Sequence, residues 1–235
     1  MIQHHLSDPQ HQFLMQSWQI FLQAFENYNL DIYYDQSCPL ICDQTGNRFR
    51  INFEEPSYKK KKKGVRSEII GRALGGLKKG HRVLDLSAGL AVDAVFLAQL
   101  GFQVTSIERN PVIYKALEAA YQCFTGSYKN QLEFIYDHAE NFLLNRNNNF
   151  DLCYFDPMFP SKKKSALPKQ EMAFFKKLVG ADLDADQILI QAIKSEKFKR
   201  VVVKRPIEAN DLGLGLVIKS GTIEGKIIRY DIYAN

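Results

Sequence analysis

The segment Val83–Ala94, with the sequence VLDLSAGLAVDA, combines a short apolar strand, a turn of small residues and the start of a helix. Val83 and Leu84 lead into a carboxylate, Asp85, and the helix is expected to begin near Val92. A strand that turns tightly into a helix is the first half of a strand–helix–strand unit. Ligands of such sheets bind outside the carboxyl ends of the strands, so this turn is expected to line a binding crevice.

Strand and helix patterns alternate after this segment and define the fold class. Near-continuous apolar strands between amphipathic stretches are typical of a parallel sheet covered on both faces. The predicted strands are Arg82–Leu86, Phe102–Ile107, Leu132–Tyr136, Asp151–Phe155, Arg200–Val203, Leu214–Lys219 and Lys226–Tyr233. The predicted helices are Val92–Leu100, Pro111–Phe124, Ala139–Asn145, Lys169–Leu178 and Ala185–Ile193. The sequence therefore predicts an α/β protein with a seven-stranded, mostly parallel sheet and an antiparallel C-terminal strand pair.

Residues 1–65 have a different pattern and are predicted to form a small N-terminal helix and β-rich appendage. Residues 9–26 carry apolar side chains at helical spacing, and residues 31–53 contain short β-like runs with a turn at Gln44–Asn47. The polar, basic stretch Glu54–Gly64 is predicted to connect this part to a domain formed by residues 66–235. Ser67 is the predicted N-cap of that domain's first helix.

The composition favours a globular protein of a reducing compartment. Of its 235 residues, 46% are hydrophobic and 24% are charged, and no apolar run is long enough to span a bilayer. The N-terminus has no signal-peptide pattern, so a cytoplasmic location is expected. The four cysteines lack zinc-finger spacing, so reduced thiols and no structural metal are expected.

Basic residues are concentrated in three clusters, which favours a polyanionic partner. The net charge is +5, and the clusters are Lys59–Lys63, Lys162–Lys164 and a third group of Lys197, Lys199, Arg200, Lys204 and Arg205. A lysine run can also serve only to keep a surface soluble. Charge alone therefore leaves nucleic-acid binding as one of two interpretations.

Acidic residues follow the first two predicted strands and suit a cationic ligand. Asp85 ends the first strand and Asp93 lies in the first helical turn. Glu108 ends the second strand, at the roughly 20-residue spacing typical of an acid that holds ribose hydroxyls. Ser87 and Gly89 let a ligand approach the backbone closely. The three-glycine dinucleotide pattern is missing, so the sulfonium and ammonium groups of S-adenosylmethionine (SAM) fit better than a diphosphate. Ordinary polar capping of strand ends is the alternative.

The loop after the fourth predicted strand has the residues of a pocket for a planar amine. Its sequence is Asp156-Pro157-Met158-Phe159-Pro160, in which two prolines restrict the backbone. Asp156 offers a hydrogen-bond acceptor to an exocyclic amine, and Phe159 offers a face on which a base can stack. Methyl transfer to such an amine needs alignment more than a strong base. A rigid loop that only caps the strand is the alternative.

Together these blocks resemble class I (Rossmann-like) methyltransferases that act on amino groups. More narrowly, they resemble the RsmJ family, whose members methylate guanine N2 in small-subunit ribosomal RNA. The resemblance extends from about Arg82 to the C-terminus. It rests on the blocks Asp85–Leu90, Asp93–Ala94, Glu108–Pro111, Asp156–Pro160, Lys164–Leu167, Leu178–Asp186, Val201–Pro206 and Arg229–Tyr233.

The resemblance implies a SAM site and a ribosomal RNA substrate. The implied cofactor contacts are Val92–Asp93, Glu108–Arg109, His138–Ala139 and Asp156. The implied target is the N2 amine of a guanine in bacterial 16S RNA. Two positions depart from the family pattern: Ala91 replaces a usual glycine, and His138–Ala139 replaces a place where serines are common.

A basic pair ends the fifth predicted strand, on the same sheet edge as Asp156. Lys204 and Arg205 are predicted to contact an RNA phosphate or the target base. The flanking RNA backbone is expected to meet Lys162, Lys163 and Lys164. A basic surface pair without a ligand is the alternative.

Two other functions stay open on the sequence alone. The same loop chemistry serves the amine of DNA adenine or the amide of a protein glutamine. A chain with this fold could also bind RNA without catalysis, although intact acids at Asp85, Glu108 and Asp156 favour a catalytic protein.

Overall fold

A computed structural model describes residues 27–35, 38–58, 65–76, 80–145, 149–158 and 170–234 of the chain. The predicted helix over residues 9–26, the run Lys59–Lys63 and the segment Phe159–Lys169 lie outside the described residues. Within the described ranges, no helix is long and apolar enough to cross a membrane.

Near the N-terminus, three short strands form an antiparallel sheet in which each strand pairs with its neighbour in the chain. The turn before the third strand is fixed by the Asp43 carboxylate, which accepts hydrogen bonds from the backbone of Thr45 and Asn47. Gly46 supplies the left-handed backbone of this turn, with φ of 81°. The strands are β1 (Leu30–Asp35), β2 (Cys38–Asp43) and β3 (Arg48–Arg50).

The main sheet has seven strands in the order β6-β5-β4-β7-β8-β10-β9. Strands β4 to β8 run parallel, whereas β10 is antiparallel to both β8 and β9. The strands are β4 (Arg82–Asp85), β5 (Gln103–Glu108), β6 (Leu132–Tyr136), β7 (Leu152–Phe155), β8 (Arg200–Pro206), β9 (Gly221–Glu224) and β10 (Ile228–Ala234). The predicted seven-stranded, mostly parallel sheet with an antiparallel C-terminal pair is confirmed.

Helices connect the parallel strands, and one of them has a clear start signal in the sequence. This is the third helix, in which the Asn110 side chain accepts hydrogen bonds from the backbone of Val112 and Ile113 and Pro111 occupies the first turn. The helices are α1 (Val65–Ala73), α2 (Val92–Gln99), α3 (Pro111–Cys123), α4 (Ala139–Asn145), α5 (Gln170–Val179) and α6 (Ala185–Lys194). A short 3-10 helix, Lys129–Gln131, precedes β6.

Two local predictions are wrong. The segment Leu214–Lys219 is not a strand: it follows Gly213, and Leu214 and Gly215 have φ of 52° and 72°, so the backbone turns instead of extending. The strand that pairs with β10 is β9, which begins only at Gly221. Ser67 is not the cap of α1, because that helix already includes Val65.

Alternate residues of the central strands enter two hydrophobic cores on opposite faces of the sheet. Val83, Tyr154 and Val202 belong to the core that also contains the apolar faces of α2 and α3. Their neighbours Leu84 and Phe155 belong to the second core, which contains residues of α4 and α6. The expectation that the sheet is covered on both faces is therefore confirmed.

The small N-terminal sheet packs into the first of these cores. Phe49 of β3 makes edge-to-face contacts with Phe174 and Phe175 of α5, with ring centroids 5.5 and 6.3 Å apart. Tyr58 donates a hydrogen bond of 2.8 Å to the Leu90 carbonyl, just before α2. The boundary between an appendage of residues 1–65 and a domain of residues 66–235 stays a prediction, but the two parts share buried side chains.

Candidate active site

The carboxyl ends of β4, β5 and β7 meet at one edge of the sheet and border a cleft of about 660 Å³ that is open to solvent. Its walls combine apolar and acidic side chains. The lining residues are Leu86, Ser87, Gly89, Ile107, Glu108, Arg109, Asp137, His138, Ala139, Glu140, Phe155, Asp156, Met158, Phe175, Val179, Asp182, Asp184 and Ile188.

Asp85 lies beneath the floor of the cleft rather than on its surface. Its side chain is buried and accepts hydrogen bonds from the Ser87 backbone N–H, at 3.0 Å, and from the Ser106 hydroxyl, at 3.1 Å. Burial raises the pKa of Asp85 to about 7, because the apolar surroundings disfavour the charged form more than the hydrogen bonds favour it. Asp85 therefore shapes the turn that lines the cleft.

Glu108 reaches the cleft from the end of β5 and holds the glycine turn. Its two carboxylate oxygens accept one backbone N–H each, from Gly89 at 2.9 Å and from Asn110 at 2.7 Å. Burial raises the pKa of Glu108 to about 7, against the lowering effect of these two hydrogen bonds. Each oxygen retains a second lone pair that can accept a hydrogen bond from a ligand hydroxyl.

The first residues of the loop after β7, Asp156–Met158, are anchored at two points. The backbone N–H of Asp156 donates a hydrogen bond of 2.8 Å to the Ser87 hydroxyl, which joins this loop to the turn after β4. Pro157 is buried, and the backbone N–H of Met158 donates to the Asp182 carboxylate at 2.6 Å. The Met158 carbonyl accepts a hydrogen bond of 3.0 Å from the Asp182 N–H. These contacts fix the position of Asp156 relative to the cleft.

Arg109 connects the same cleft to the start of α6. Its guanidinium pairs with the Asp182 carboxylate and, at 2.7 Å, with the Asp184 carboxylate. A planar guanidinium that contacts two carboxylates holds the chain more firmly than a single ion pair. Arg109 therefore tethers the segment whose Asp182 supports the loop after β7.

Lys204 of β8 brings two of the predicted acids together. Its ammonium group lies 2.7 Å from Asp93 Oδ2 and 2.6 Å from Asp156 Oδ2. The Tyr154 hydroxyl donates a hydrogen bond of 2.8 Å to the same oxygen of Asp93. Burial alone would lower the pKa of Lys204, but the two carboxylates raise it above its ordinary value.

The structure brings together part of the predicted site. Seven of the predicted residues line the cleft: Ser87, Gly89, Glu108, Arg109, His138, Ala139 and Asp156. Asp85, Val92, Asp93 and Pro157 do not line it. Four others, Phe159, Lys162, Lys163 and Lys164, lie outside the described residues.

The two residues of the predicted basic pair are placed differently from each other. Lys204 is half-buried beside Asp156, whereas Arg205 is only 5% exposed and its guanidinium donates a hydrogen bond to the Asn210 carbonyl. Desolvation by burial lowers the pKa of Arg205 below its ordinary value. This burial counts against a contact between Arg205 and RNA, because the side chain would have to leave its site.

Several lining residues were given no role from the sequence. Asp182 and Asp184 lie in a block used only for the family resemblance, and Phe175 was assigned only to a helix. Asp137 directly precedes the implied cofactor contact His138–Ala139, so its place after β6 was a usable signal. The positions of the others depend on how α5 and α6 pack, which periodicity does not reveal.

The donor set of the cleft fits a cationic nucleoside. Among the described lining residues, six are carboxylates and Arg109 is the one Arg or Lys, already paired with two of them. The carboxylates are Glu108, Asp137, Glu140, Asp156, Asp182 and Asp184. Such a cleft attracts a sulfonium and an ammonium group and disfavours a diphosphate. Within the described residues, no cluster of His, Cys, Asp or Glu is placed to hold a metal ion.

Comparison with known proteins gives the family. A family model described as "Putative SAM-dependent methyltransferase" matches residues 14–235. The chain is 40% identical over 230 residues to "Ribosomal RNA small subunit methyltransferase J" of Bdellovibrio bacteriovorus, covering 92% of this chain and 88% of the relative. This chain belongs to the ribosomal RNA small subunit methyltransferase J family. Another member of the family, from Shewanella loihica, is 36% identical, with 88% of this chain and 84% of the relative covered.

Solved structures support the fold of this SAM-dependent methyltransferase family. A SAM-dependent methyltransferase from Neisseria gonorrhoeae matches with a TM-score of 0.67 at 24% identity and covers 88% of this chain and 83% of its own. The 16S rRNA N2 G1207 methyltransferase of T. thermophilus, solved with AdoMet and guanosine, matches with a TM-score of 0.51 at 16% identity. That match covers 88% of this chain and 50% of the other. At these identities the likeness shows the fold alone.

Proposed function

We propose that this chain transfers a methyl group from SAM to the N2 amine of a guanine in 16S ribosomal RNA. The observation that carries the proposal is the position of Asp156, which borders the same cleft as Glu108 and is fixed to the turn after β4 through Ser87. A group suited to a target amine thus lies beside a site suited to a cationic nucleoside. Family membership supplies the RNA substrate.

The cofactor would be held by the residues at the ends of β4, β5 and β6. Glu108 would accept the ribose hydroxyls with its remaining lone pairs, and Ser87 and Gly89 would pass close to the ligand. Asp137 and the His138–Ala139 pair would border the adenine. SAM supplies a methyl group on a positively charged sulfur, and the acidic lining favours that charge.

Asp156 would prepare the amine for attack. The lone pair of an exocyclic amine is delocalised into the base, so a hydrogen bond from its N–H to a carboxylate makes the nitrogen more nucleophilic. Bound SAM would supply the methyl group and keep the electrons of the broken C–S bond on its sulfur, and the methylated nitrogen would then lose a proton to water. Because the nitrogen becomes acidic only on methylation, alignment contributes more than proton abstraction, up to about 7–11 kcal/mol.

The RNA would approach over the loop after β7. We infer that Phe159 stacks on the target base, which contributes about 1–3 kcal/mol. Lys162, Lys163 and Lys164 would meet the flanking phosphates, where each contact adds affinity without sequence preference. This substrate would place the protein in the cytoplasm, where ribosomes are assembled.

The loop chemistry by itself also serves adenine and glutamine amines. Membership of a ribosomal RNA methyltransferase family favours guanine in RNA over both. The basic clusters favour a nucleic acid over a protein substrate.

Nucleoside mass spectrometry of ribosomal RNA tests this function. Deletion of the gene is expected to remove N2-methylguanosine from one position of the small-subunit RNA. A plasmid copy should restore it, whereas a copy carrying Asp156→Ala should not. Unchanged N2-methylguanosine in the deletion strain would contradict the guanine assignment, and loss of methyladenosine instead would support the adenine alternative.

A further inference from the structure

The ion pairs of Lys204 join the start of α2, which follows the turn after β4, to the loop after β7. The Lys204 side chain is 22% exposed, and the side chains of its partners Asp93 and Asp156 are 11% and 33% exposed. The lysine therefore contacts one carboxylate from the start of α2 and one from the loop after β7. Neither the family resemblance nor the sequence pattern predicted this bridge.

The ammonium group of Lys204 stabilises the ionised form of both nearby carboxylates, Asp93 and Asp156. Like charges in partly buried surroundings disfavour each other's ionised form, and a cation between them reverses this effect. A third acid, Asp85, is also near enough to interact electrostatically with Asp93 and Asp156. Without the lysine, protonation of one of these acids is the expected way to reduce the repulsion.

We propose that Lys204 is a positioning residue that keeps Asp156 ionised and holds its carboxylate toward the target amine. The proposal rests on the proposed function. It differs from the predicted role of Lys204 as an RNA phosphate contact, because the ammonium group is engaged by two protein carboxylates.

This arrangement assigns Asp156 the role of hydrogen-bond acceptor rather than general base. A carboxylate paired with a lysine binds a proton weakly, so it is a poor destination for the proton of the methylated amine. One of its oxygens contacts Lys204, and an aspartate carboxylate has about four acceptor positions in all, so the pairing leaves capacity for an amine N–H. The proton of the product is therefore expected to leave to water.

The groups that face Lys204 come from four elements. Asp93 belongs to α2, Tyr154 and Asp156 belong to β7 and its loop, and Tyr230 lies directly opposite Lys204 on β10. Asp85 ends β4. Burial raises the pKa of Tyr154, so this tyrosine stays neutral at physiological pH. The carboxylates are thus the groups whose charge the lysine balances.

The first test compares the pH dependence of methyl transfer in Lys204→Met, Lys204→Arg and the wild-type protein. Lys204→Met is expected to lower kcat at pH 7 by about tenfold or more and to move the acidic limb of the profile up by about one pH unit or more. Lys204→Arg keeps the charge, so its acidic limb should stay in place even if kcat falls. An unshifted limb in Lys204→Met would overturn the proposal.

The salt dependence of RNA binding separates this role from a phosphate contact. A positioning role predicts that Lys204→Met leaves the slope of log K against log salt unchanged. A lost phosphate contact would instead reduce that slope by about 0.7 and raise KM for RNA with little change in kcat. That second outcome would overturn the positioning role.

A third measurement needs no substrate, so it stands even if the RNA assignment fails. Lys204→Met is expected to lower the urea midpoint of the wild-type protein and to lower it less in an Asp156→Asn background, because the paired charge is already absent. Equal losses in both backgrounds would show that the two side chains are not coupled. Loss of coupling contradicts the positioning proposal, whereas coupling without RNA methylation contradicts only the proposed function.

Discussion

Asp156 is the residue at which a backbone anchor, an ion pair and the open cleft meet. Its N–H donates to the Ser87 hydroxyl and its carboxylate contacts Lys204, so its position does not depend on a bound ligand. We expect Asp156→Ala to lower the rate of methyl transfer by about 100-fold or more, as for other preorganised hydrogen-bonding groups. Calorimetry should find the affinity for SAM largely intact.

Asp151 provides the matched control for Asp156. It lies just before β7, at the opposite end from the cleft, and pairs with the exposed Lys199. Asp151→Asn should therefore leave methyl transfer unchanged. Near-normal turnover in Asp156→Ala would contradict the assignment of the target pocket.

Asp85 gives the ligand-free protein an unusual dependence on pH. Its pKa rises from an ordinary 3.8 to about 7 in the folded state, so between these values the folded protein keeps a proton that the unfolded chain has released. The free energy of unfolding should therefore fall as the pH rises from about 4 to about 7. Glu108 contributes in the same direction, because its pKa is also raised to about 7.

Urea unfolding at several pH values tests the Asp85 contribution. Asp85→Asn should make the fall in stability over this pH range shallower. Asp151→Asn should leave the slope over this range almost unchanged, because the Lys199 hydrogen bond lowers the Asp151 pKa and its contribution is lost only at more acidic pH. A pH profile that is the same in Asp85→Asn and the wild type would refute the raised pKa.

At the scale of a single element, helix α2 begins under backbone strain. Ala91 precedes it with φ of 55° and ψ of 21°, the left-handed region that glycine adopts without penalty. Ala91→Gly is therefore expected to raise the free energy of unfolding by up to about 1 kcal/mol, measured by chemical denaturation. Ala98→Gly, in the helical part of α2, should lower it by about 1 kcal/mol. A destabilised Ala91→Gly would show that the turn tolerates alanine without strain.

The elements also show what the sequence alone can predict. Strands β4, β5, β7 and β8 were located because most of their residues are buried on both faces of the sheet, which produces largely apolar runs. Leu214–Lys219 has a similar apolar content, but Gly213 before it and Gly215 within it make turns, so hydrophobicity alone misled the prediction. Apolar content identifies a strand only where the backbone is free to extend.

Some contacts of the candidate site could be predicted from the sequence, and others could not. Glu108 and Asp156 were predicted because each directly follows an apolar strand, and the ends of parallel strands meet. The tether from Arg109 to Asp182 and Asp184 joins segments far apart in the chain, and so depends on the packing of α6. Interactions between distant elements of this kind leave no local pattern in a single sequence.

At the scale of the whole molecule, the small sheet and the main sheet share one hydrophobic core. Phe49 is 2% exposed and contacts two aromatic rings of α5, so Phe49→Ala should lower the free energy of unfolding by about 3–5 kcal/mol. Circular dichroism during urea unfolding should show a single transition at a lower midpoint. Tyr33→Ala is the control, because Tyr33 is 39% exposed and its loss should matter much less. Two separate transitions in the wild type would instead support independent folding of residues 1–65.

The pairing of β4 with β7 has a consequence for how this protein can change over evolution. Asp85 lies directly opposite Tyr154, and the Leu86 N–H donates a hydrogen bond of 3.0 Å to the Tyr154 carbonyl. The turn after β4 and the loop after β7, which form two sides of the site, therefore start from paired residues of neighbouring strands. A ladder can shift only by whole residues, about 3.3 Å at a time, and a single-residue shift turns every side chain to the other face. The distance between the methyl donor and the target amine can therefore change only in steps of one residue. New target preferences are expected to arise instead in the loops that follow the strands.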